Sequence, residues 1–355
     1  MKVKHINATN LIRRHASIAA LSFGAAALLA SPAVCRADTL YVANSLNNTI
    51  GEFTTDGVGS IFARNGVNNP IGLAFDSAGN LYAANAGDNT IEKFTTAGVG
   101  SVFASIGSGS LRGLAFDTAG NLFVASAFSN TIEKFTTAGD SSVFASTGLN
   151  NPAGLAFDSA GNLYAANYSG NTIEKFTTAG DGSVFASSGL GGPTGLAFDG
   201  AGNLYVSNWD NHTIQKFTTA GVGSRFANTG LNQPFGLAFD SAGNLYAANS
   251  GNNTIQKFTM AGVGSRFANT GMNFPSFIAM RPALVVPVYL SARQSGSELI
   301  LSWPTNAAGF TLQSNLKLTP PATWIDSTNA PATVGTQFTV TNTIVASGQF
   351  YRLKK

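Results

Sequence analysis

The stretch Pro70-Ile-Gly-Leu-Ala-Phe-Asp-Ser-Ala-Gly-Asn-Leu-Tyr-Ala-Ala-Asn85 decides the fold, because it returns. Gly-Leu-Ala-Phe-Asp begins at Gly72, Gly113, Gly154, Gly195 and Gly236, each step being 41 residues. Phe277-Ile-Ala-Met280 is a degenerate sixth copy on the next step. A second segment is centred on Tyr41, Tyr82, Phe123, Tyr164, Tyr205 and Tyr246. Two more carry phenylalanines in the same phase: Phe53 to Phe258 in Thr-Ile-x-x-Phe, and Phe62 to Phe267 in Ser-x-Phe-Ala. Self-similarity at a fixed period of this length marks a solenoid or a propeller.

Within one period the residues predict four short strands, here a to d. Gly72 to Asp76 is strand a, Leu81 to Asn85 strand b, Thr90 to Thr95 strand c and Ser101 to Ser105 strand d. The turn Asp76-Ser-Ala-Gly-Asn80 separates a from b, with Gly79 at a position suited to positive φ. Leu73-Ala74-Phe75 is continuously apolar, as in a sheet covered on both faces. Four-stranded units buried on both faces are propeller blades. The partial repeat from Leu40 to Ile71 holds strands b, c and d, while Phe277 to Met280 supplies the missing strand a. The predicted fold is all-β: a six-bladed β-propeller over 40–280 with 41-residue, four-stranded blades, closed by a blade built from both chain ends. A small C-terminal β-sandwich follows.

Pro-x-Gly-Leu-Ala-Phe-Asp-x-x-Gly-Asn-Leu-Tyr-x-x-Asn followed by Asn-x-Thr-Ile-x-Lys-Phe resembles the NHL repeat. The resemblance runs through all six units, roughly two-thirds of the chain. It implies a ring that serves as a binding platform. Similar six-bladed rings include streptogramin lyases and calcium-dependent lactonases, so the resemblance leaves function open.

Outside the ring, residues 1–37 read as an export signal. Lys2, Lys4, Arg13 and Arg14 precede an apolar run from Ala16 to Val34, and cleavage is expected after Ala37. Secretory or twin-arginine export (Arg13-Arg14) and lipidation at Cys35 both stay open. Residues 281–287 read as a linker, and 288–355 as six short strands separated by turns. That module is similar to fibronectin-type-III-like terminal domains through Leu299-Ile-Leu-Ser-Trp303 and Phe350-Tyr-Arg-Leu353. Trp303 is expected in its core. Only 10% of the chain is charged, and from Asp38 onward fifteen basic residues face seventeen acidic ones. Such a balance gives no electrostatic grip on nucleic acid or anionic lipid. The expectation is an exported monomer, outside the membrane after cleavage.

Chemistry-bearing residues are scarce. Cys35 is the single cysteine, and His212 the single histidine beyond the signal, so a zinc site with several His or Cys ligands is excluded. No catalytic residue, metal ligand or cofactor is assigned. The likeness to lactonases would place a central divalent ion on Asp76, Asp117, Asp158, Asp199 and Asp240. Each of these, however, opens an Asp-x-Ala-Gly-Asn turn whose amides a carboxylate caps. In an up-and-down meander the a–b and c–d turns share one face of the ring, and the b–c and d–a loops share the other. The first face is monotonous; on the second the copies diverge. Tyr168 and Trp209 replace Ser45, Ala86, Ala127 and Ser250 in one b–c slot, and Phe128 and Asp210 occupy the next. With Arg112, Phe235 and Phe274 assigned to the d–a loops, and His212 nearby, these residues are the candidate ligand-binding surface for a protein, peptide or glycan. The alternatives are an extracellular scaffold and a metal-assisted lyase or lactonase.

Overall fold

The computed structural model describes residues 38–107, 109–281, 18–22, 25–27, 31–34, 285–288, 290–295, 297–304, 311–315, 325–335, 337–343 and 349–354. The chain divides into two units, Asp38–Pro282 and Met1–Ala37 with Ala283–Lys355. The first is a ring of six four-stranded antiparallel sheets. Blade one comprises Pro70–Phe75, Leu81–Asn85, Thr90–Phe94 and Gly100–Ser105. Blades two to five repeat it, with strands a at Leu111–Phe116, Pro152–Phe157, Pro193–Phe198 and Pro234–Phe239. Blade six joins Pro275–Arg281 to Thr39–Asn44, Thr49–Phe53 and Gly59–Ala63. Its register pairs Ile278 with Val42, Ala279 with Tyr41 and Met280 with Leu40, so both chain ends close the ring as the repeat phase predicts.

Strand a starts two residues before the position expected from the repeat. Pro70 already opposes Asn85, and a bulge separates that pair from Gly72. Strands a of successive blades adjoin one another around the centre, each at the inner edge of its own sheet. Proline is tolerated there because an edge strand needs no further ladder donor.

The spaces between blades are filled with rings. Tyr41 of blade six meets Phe62 of its own strand d at 4.9 Å and Phe75 of blade one at 5.1 Å, both edge to face. Phe62 in turn meets Phe94 at 6.0 Å. The same edge-to-face set recurs around Tyr82, Phe123, Tyr164 and Tyr205. Such aromatic contacts add to the burial energy and fix the angle between neighbours.

Below the rings each a–b turn is clamped. Asp76 Oδ1 accepts from the Ala78 and Asn80 amides, and its Oδ2 accepts from Asn80 Nδ2. Lys93 reaches the same carboxylate at 3.8 Å while lying over the Tyr82 ring. Blade six reverses this polarity. Arg281 stands in the aspartate slot and Glu52 in the lysine slot, joined at 3.3 Å, with Arg281 over Tyr41.

Strand c hides carboxylates. Glu92 and Glu174 are 5% exposed and lie against Gly66 and Gly148 of the preceding blades. Burial pushes both carboxyls above the usual glutamate range, with Asp88 adding to the effect at Glu92. The native state therefore binds these protons more readily than the unfolded chain. The resulting stability is present at low pH and is lost as pH rises through the raised values. Blades four and five carry Gln215 and Gln256 in this slot. Glu92→Gln and Glu174→Gln should each stabilise the ring by about 1 kcal/mol at neutral pH, raising the melting temperature by roughly 2–4 °C. In melts taken across pH, the gain should vanish below about pH 4, where glutamate is protonated in either state.

In the second unit, Ser291–Ser295, Glu298–Pro304, Gln337–Thr343 and Ala332–Val334 form one sheet. Thr311–Asn315, Ile325–Asp326 and Gln349–Lys354 belong to another. Leu299, Leu301, Trp303 and Val340 of the first pack with Leu312, Tyr351 and Leu353 of the second, which places Trp303 in the core. Val285–Val288, at the junction of the expected linker and module, is a strand paired with Ser31–Val34. Within the expected signal, Ile18–Ser22 pairs with Ala25–Ala27 and adds to the edge at Gln349–Lys354. The cleavage position, Cys35 and the paired arginines lie outside the described residues.

Candidate functional site

The b–c and d–a loops of each blade are knitted by their backbones. Tyr168 N–H donates to Asn151 O, Trp209 N–H to Gly192 O and Asp210 N–H to Gly191 O. The final strand-b asparagine locks the same junction from below. Asn208 Nδ2 donates to Gly189 O and Thr213 Oγ1, and its Oδ1 accepts from Gly191 N–H. Side chains on these loops therefore project from a braced frame.

On that frame four blades contribute to one chain of contacts. The Arg112 guanidinium of blade two lies over the Tyr168 ring of blade three, 5.7 Å from its centroid. Tyr168 O–H donates to Asp210 Oδ1 of blade four at 3.2 Å. The Tyr168 ring also meets Trp209 edge to face at 6.2 Å. Trp209 Nε1–H donates to Ser250 Oγ of blade five at 3.0 Å, and Ser250 Oγ–H donates to Gln233 O. Gly192 makes room beneath: a Cβ there would come within 2.5 Å of Asp210 Oδ2 and 3.0 Å of the Tyr168 ring. Burial, and then the Asp210 charge, push the Tyr168 hydroxyl above its ordinary range, so it remains a donor. Both aromatic rings are thus held in fixed orientations by their neighbours.

The other candidates separate from this arc. Phe128 is 76% exposed on its loop, yet it takes no part in these contacts. Arg112 and Phe235 belong to innermost strands rather than to d–a loops, because strand a begins earlier than expected. Phe235 packs on Phe277 at 5.2 Å. Phe274 precedes its strand with φ 51°, and its carbonyl accepts from Ser45. His212 sits in a slot that recurs in every blade. Asn48, Asn89, Asn130, Asn171 and Asn253 occupy its slot in the other blades, all at positive φ. Each accepts from an amide just before the next strand a, and His212 Nδ1 does the same from Gln233 N–H at 2.8 Å. It is a strut between blades that happens to be an imidazole.

The five turn aspartates are engaged in their own loops, as at Asp76. Among the described residues no group of three or more His, Cys, Asp or Glu is placed to hold a metal ion. One residue escaped the sequence reading. Ser126 replaces the locking asparagine in blade two, and its buried Oγ has no partner among the described residues. The signal was available as the one break in the Asn44, Asn85, Asn167, Asn208, Asn249 series.

The NHL repeat family model matches residues 190–217 and 231–258. No curated protein matches the chain. Among solved structures, a nidogen/laminin complex aligns with TM-score 0.63 and 23% identity over 70% of this chain and 99% of the other. A streptogramin B lyase aligns with TM-score 0.55 and 17% identity, covering 74% and 91% of the two chains. A gluconolactonase from Xanthomonas campestris aligns with TM-score 0.54 and 16% identity, covering 77% and 94%. At these identities the likeness concerns fold. The repeat match and the solved propellers together support an NHL-type β-propeller.

Proposed function

We propose that the protein is an exported binding platform whose ligand, a protein or peptide or glycan, sits on the b–c/d–a face. The observation that carries this reading is the Arg112–Tyr168–Trp209/Asp210–Ser250 arc, which joins four blades through residues the repeat itself does not require. Every other blade in the Tyr168/Trp209 slot has serine or alanine and still closes its loop. The nidogen/laminin neighbour, a propeller complexed with another protein, favours a macromolecular partner. The signal-like first 37 residues support export. General acid–base chemistry needs a positioned titratable group, and the imidazole on this face uses its Nδ1 to accept from Gln233 N–H as a contact between blades.

The test is a protein, peptide and glycan array probed with the purified chain. An aromatic anchor of this kind contributes about 2 kcal/mol or more, so Trp209→Ala should weaken a captured ligand by roughly tenfold or more. Ser77→Trp, on the opposite face, should leave binding unchanged. A ligand that responds to the Ser77 change and ignores Trp209 would overturn the choice of face.

A further inference from the structure

Most half-buried cations of this ring meet a carboxylate. Lys93, Lys175, Lys216 and Lys257 each meet the turn aspartate of their blade, and Arg281 meets Glu52. Arg112, like Lys134 over the Phe123 ring, has no such partner among the described residues. Arg112 is half-buried on the innermost strand of blade two, and among the described residues it has no hydrogen bond. Its guanidinium lies over the face of Tyr168. The Tyr168 hydroxyl in turn donates to Asp210 Oδ1. Burial pulls the Arg112 pKa below the ordinary guanidinium range, the signature of a cation short of solvation.

The architecture does not ask for a charge at this position. The equivalent residues are Ile71, Ala153, Thr194, Phe235 and Ser276, all uncharged. A guanidinium offers five donors in a planar fork, and stacking on an aromatic ring fixes its plane while leaving the edge donors for an acceptor. One cation facing one acceptor site suits a singly charged planar anion better than a phosphate, which calls for more positive charge. Apolar surface adjoins it in the Tyr168 ring and, one blade further on, the Trp209 ring that meets Tyr168.

We propose that this mouth of the ring binds a carboxylate carried on an aromatic or aliphatic group, with Arg112 forking the carboxylate and Tyr168 and Trp209 receiving the apolar part. The inference rests on the platform reading and names the ligand chemistry of its site. A free organic acid and a peptide carboxylate share that chemistry, so the probes are benzoate, its uncharged isostere benzamide, inorganic phosphate, and one peptide as free acid and as amide.

The readout is the Trp209 indole N–H resonance of the full chain, assigned by its loss in Trp209→Phe, with titrations at constant ionic strength. Benzoate should shift it saturably and benzamide should not. Arg112→Gln should weaken benzoate at least tenfold with an unchanged melting temperature, and Arg112→Lys should recover only part, because an ammonium cannot fork a carboxylate. If the free-acid peptide binds more tightly than benzoate and its amide fails, the source is a chain terminus; benzoate binding with both peptides silent assigns a small acid. Equal shifts from benzoate and benzamide, no saturable shift, tighter binding of phosphate, or indifference to Arg112→Gln would overturn the inference. An array ligand that needs Trp209 but ignores Arg112→Gln would overturn it too, while leaving the platform reading standing.

Discussion

Removing residues 38–63 from the chain should abolish the closed ring altogether. Those residues supply strands b, c and d of blade six, leaving Pro275–Arg281 with no partner on its ladder side. The loss reaches both neighbours. Tyr41 and Phe62 are the rings that seal blade six to blade one, and Leu40, Val42 and Phe53 pack with Tyr246 and Ile255 of blade five. Two apolar interfaces would be exposed together with an unpaired sheet edge, a combination that drives association between chains. The cut must end at Ala63, because strand a of blade one begins at Pro70 and belongs to an intact blade. Light scattering after size exclusion should show larger, aggregated species than the intact chain gives, and calorimetry should lose the cooperative transition of the ring. A soluble monomer with a single sharp melt would refute closure by the N-terminal strands.

The architecture was legible because one sequence contains six copies of the same physical solution. Period, strand count and the two-ended closure follow from phase alone, and the rings at Tyr41, Phe62, Phe75 and Phe94 occupy the interblade space that their recurrence implies. The site was half legible for the same reason in reverse. Tyr168 and Trp209 stood out as departures from small residues and do meet in space, but phase carries no information on how far a side chain reaches across blades. Arg112 lies one residue before the glycine from which the repeat motif starts strand a, so phase assigns it to the loop although the strand begins at Leu111. The slot of His212 is legible by alignment with Asn171 and Asn253: its Nδ1 accepts from the amide that ties one blade to the next. In the terminal unit there is no repeat to compare, and nothing in the apolar run of 18–34 announces pairing with Val285–Val288 or Gln349–Lys354.

Exchanging the charge at the seam should be costly, and exchanging both charges should restore the fold. Arg281→Asp would place a second carboxylate against Glu52 in a spot where the arginine is 10% exposed and the glutamate 25%. Tyr41 O–H donates to that same Glu52 oxygen at 2.8 Å, so the glutamate is held and cannot swing clear at no cost. Breaking a pair this buried costs about 3 kcal/mol, discounted for the glutamate's residual contact with water. The double variant Arg281→Asp/Glu52→Lys rebuilds what five blades attempt with Asp and Lys, and should recover most of the stability in chemical denaturation. Its defect should lie in assembly. The natural polarity lets Glu52 accept only the strand ending in Arg281, because every internal strand a carries Asp76, Asp117, Asp158, Asp199 or Asp240 in that slot and would repel it. With near-identical repeats, this reversal is what distinguishes the correct partner from five decoys. Refolding at rising protein concentration should therefore yield more multimer from the double variant than from the natural chain, even where the two melt alike. Equal monomer yields from both would show that the reversal contributes stability without specifying the seam.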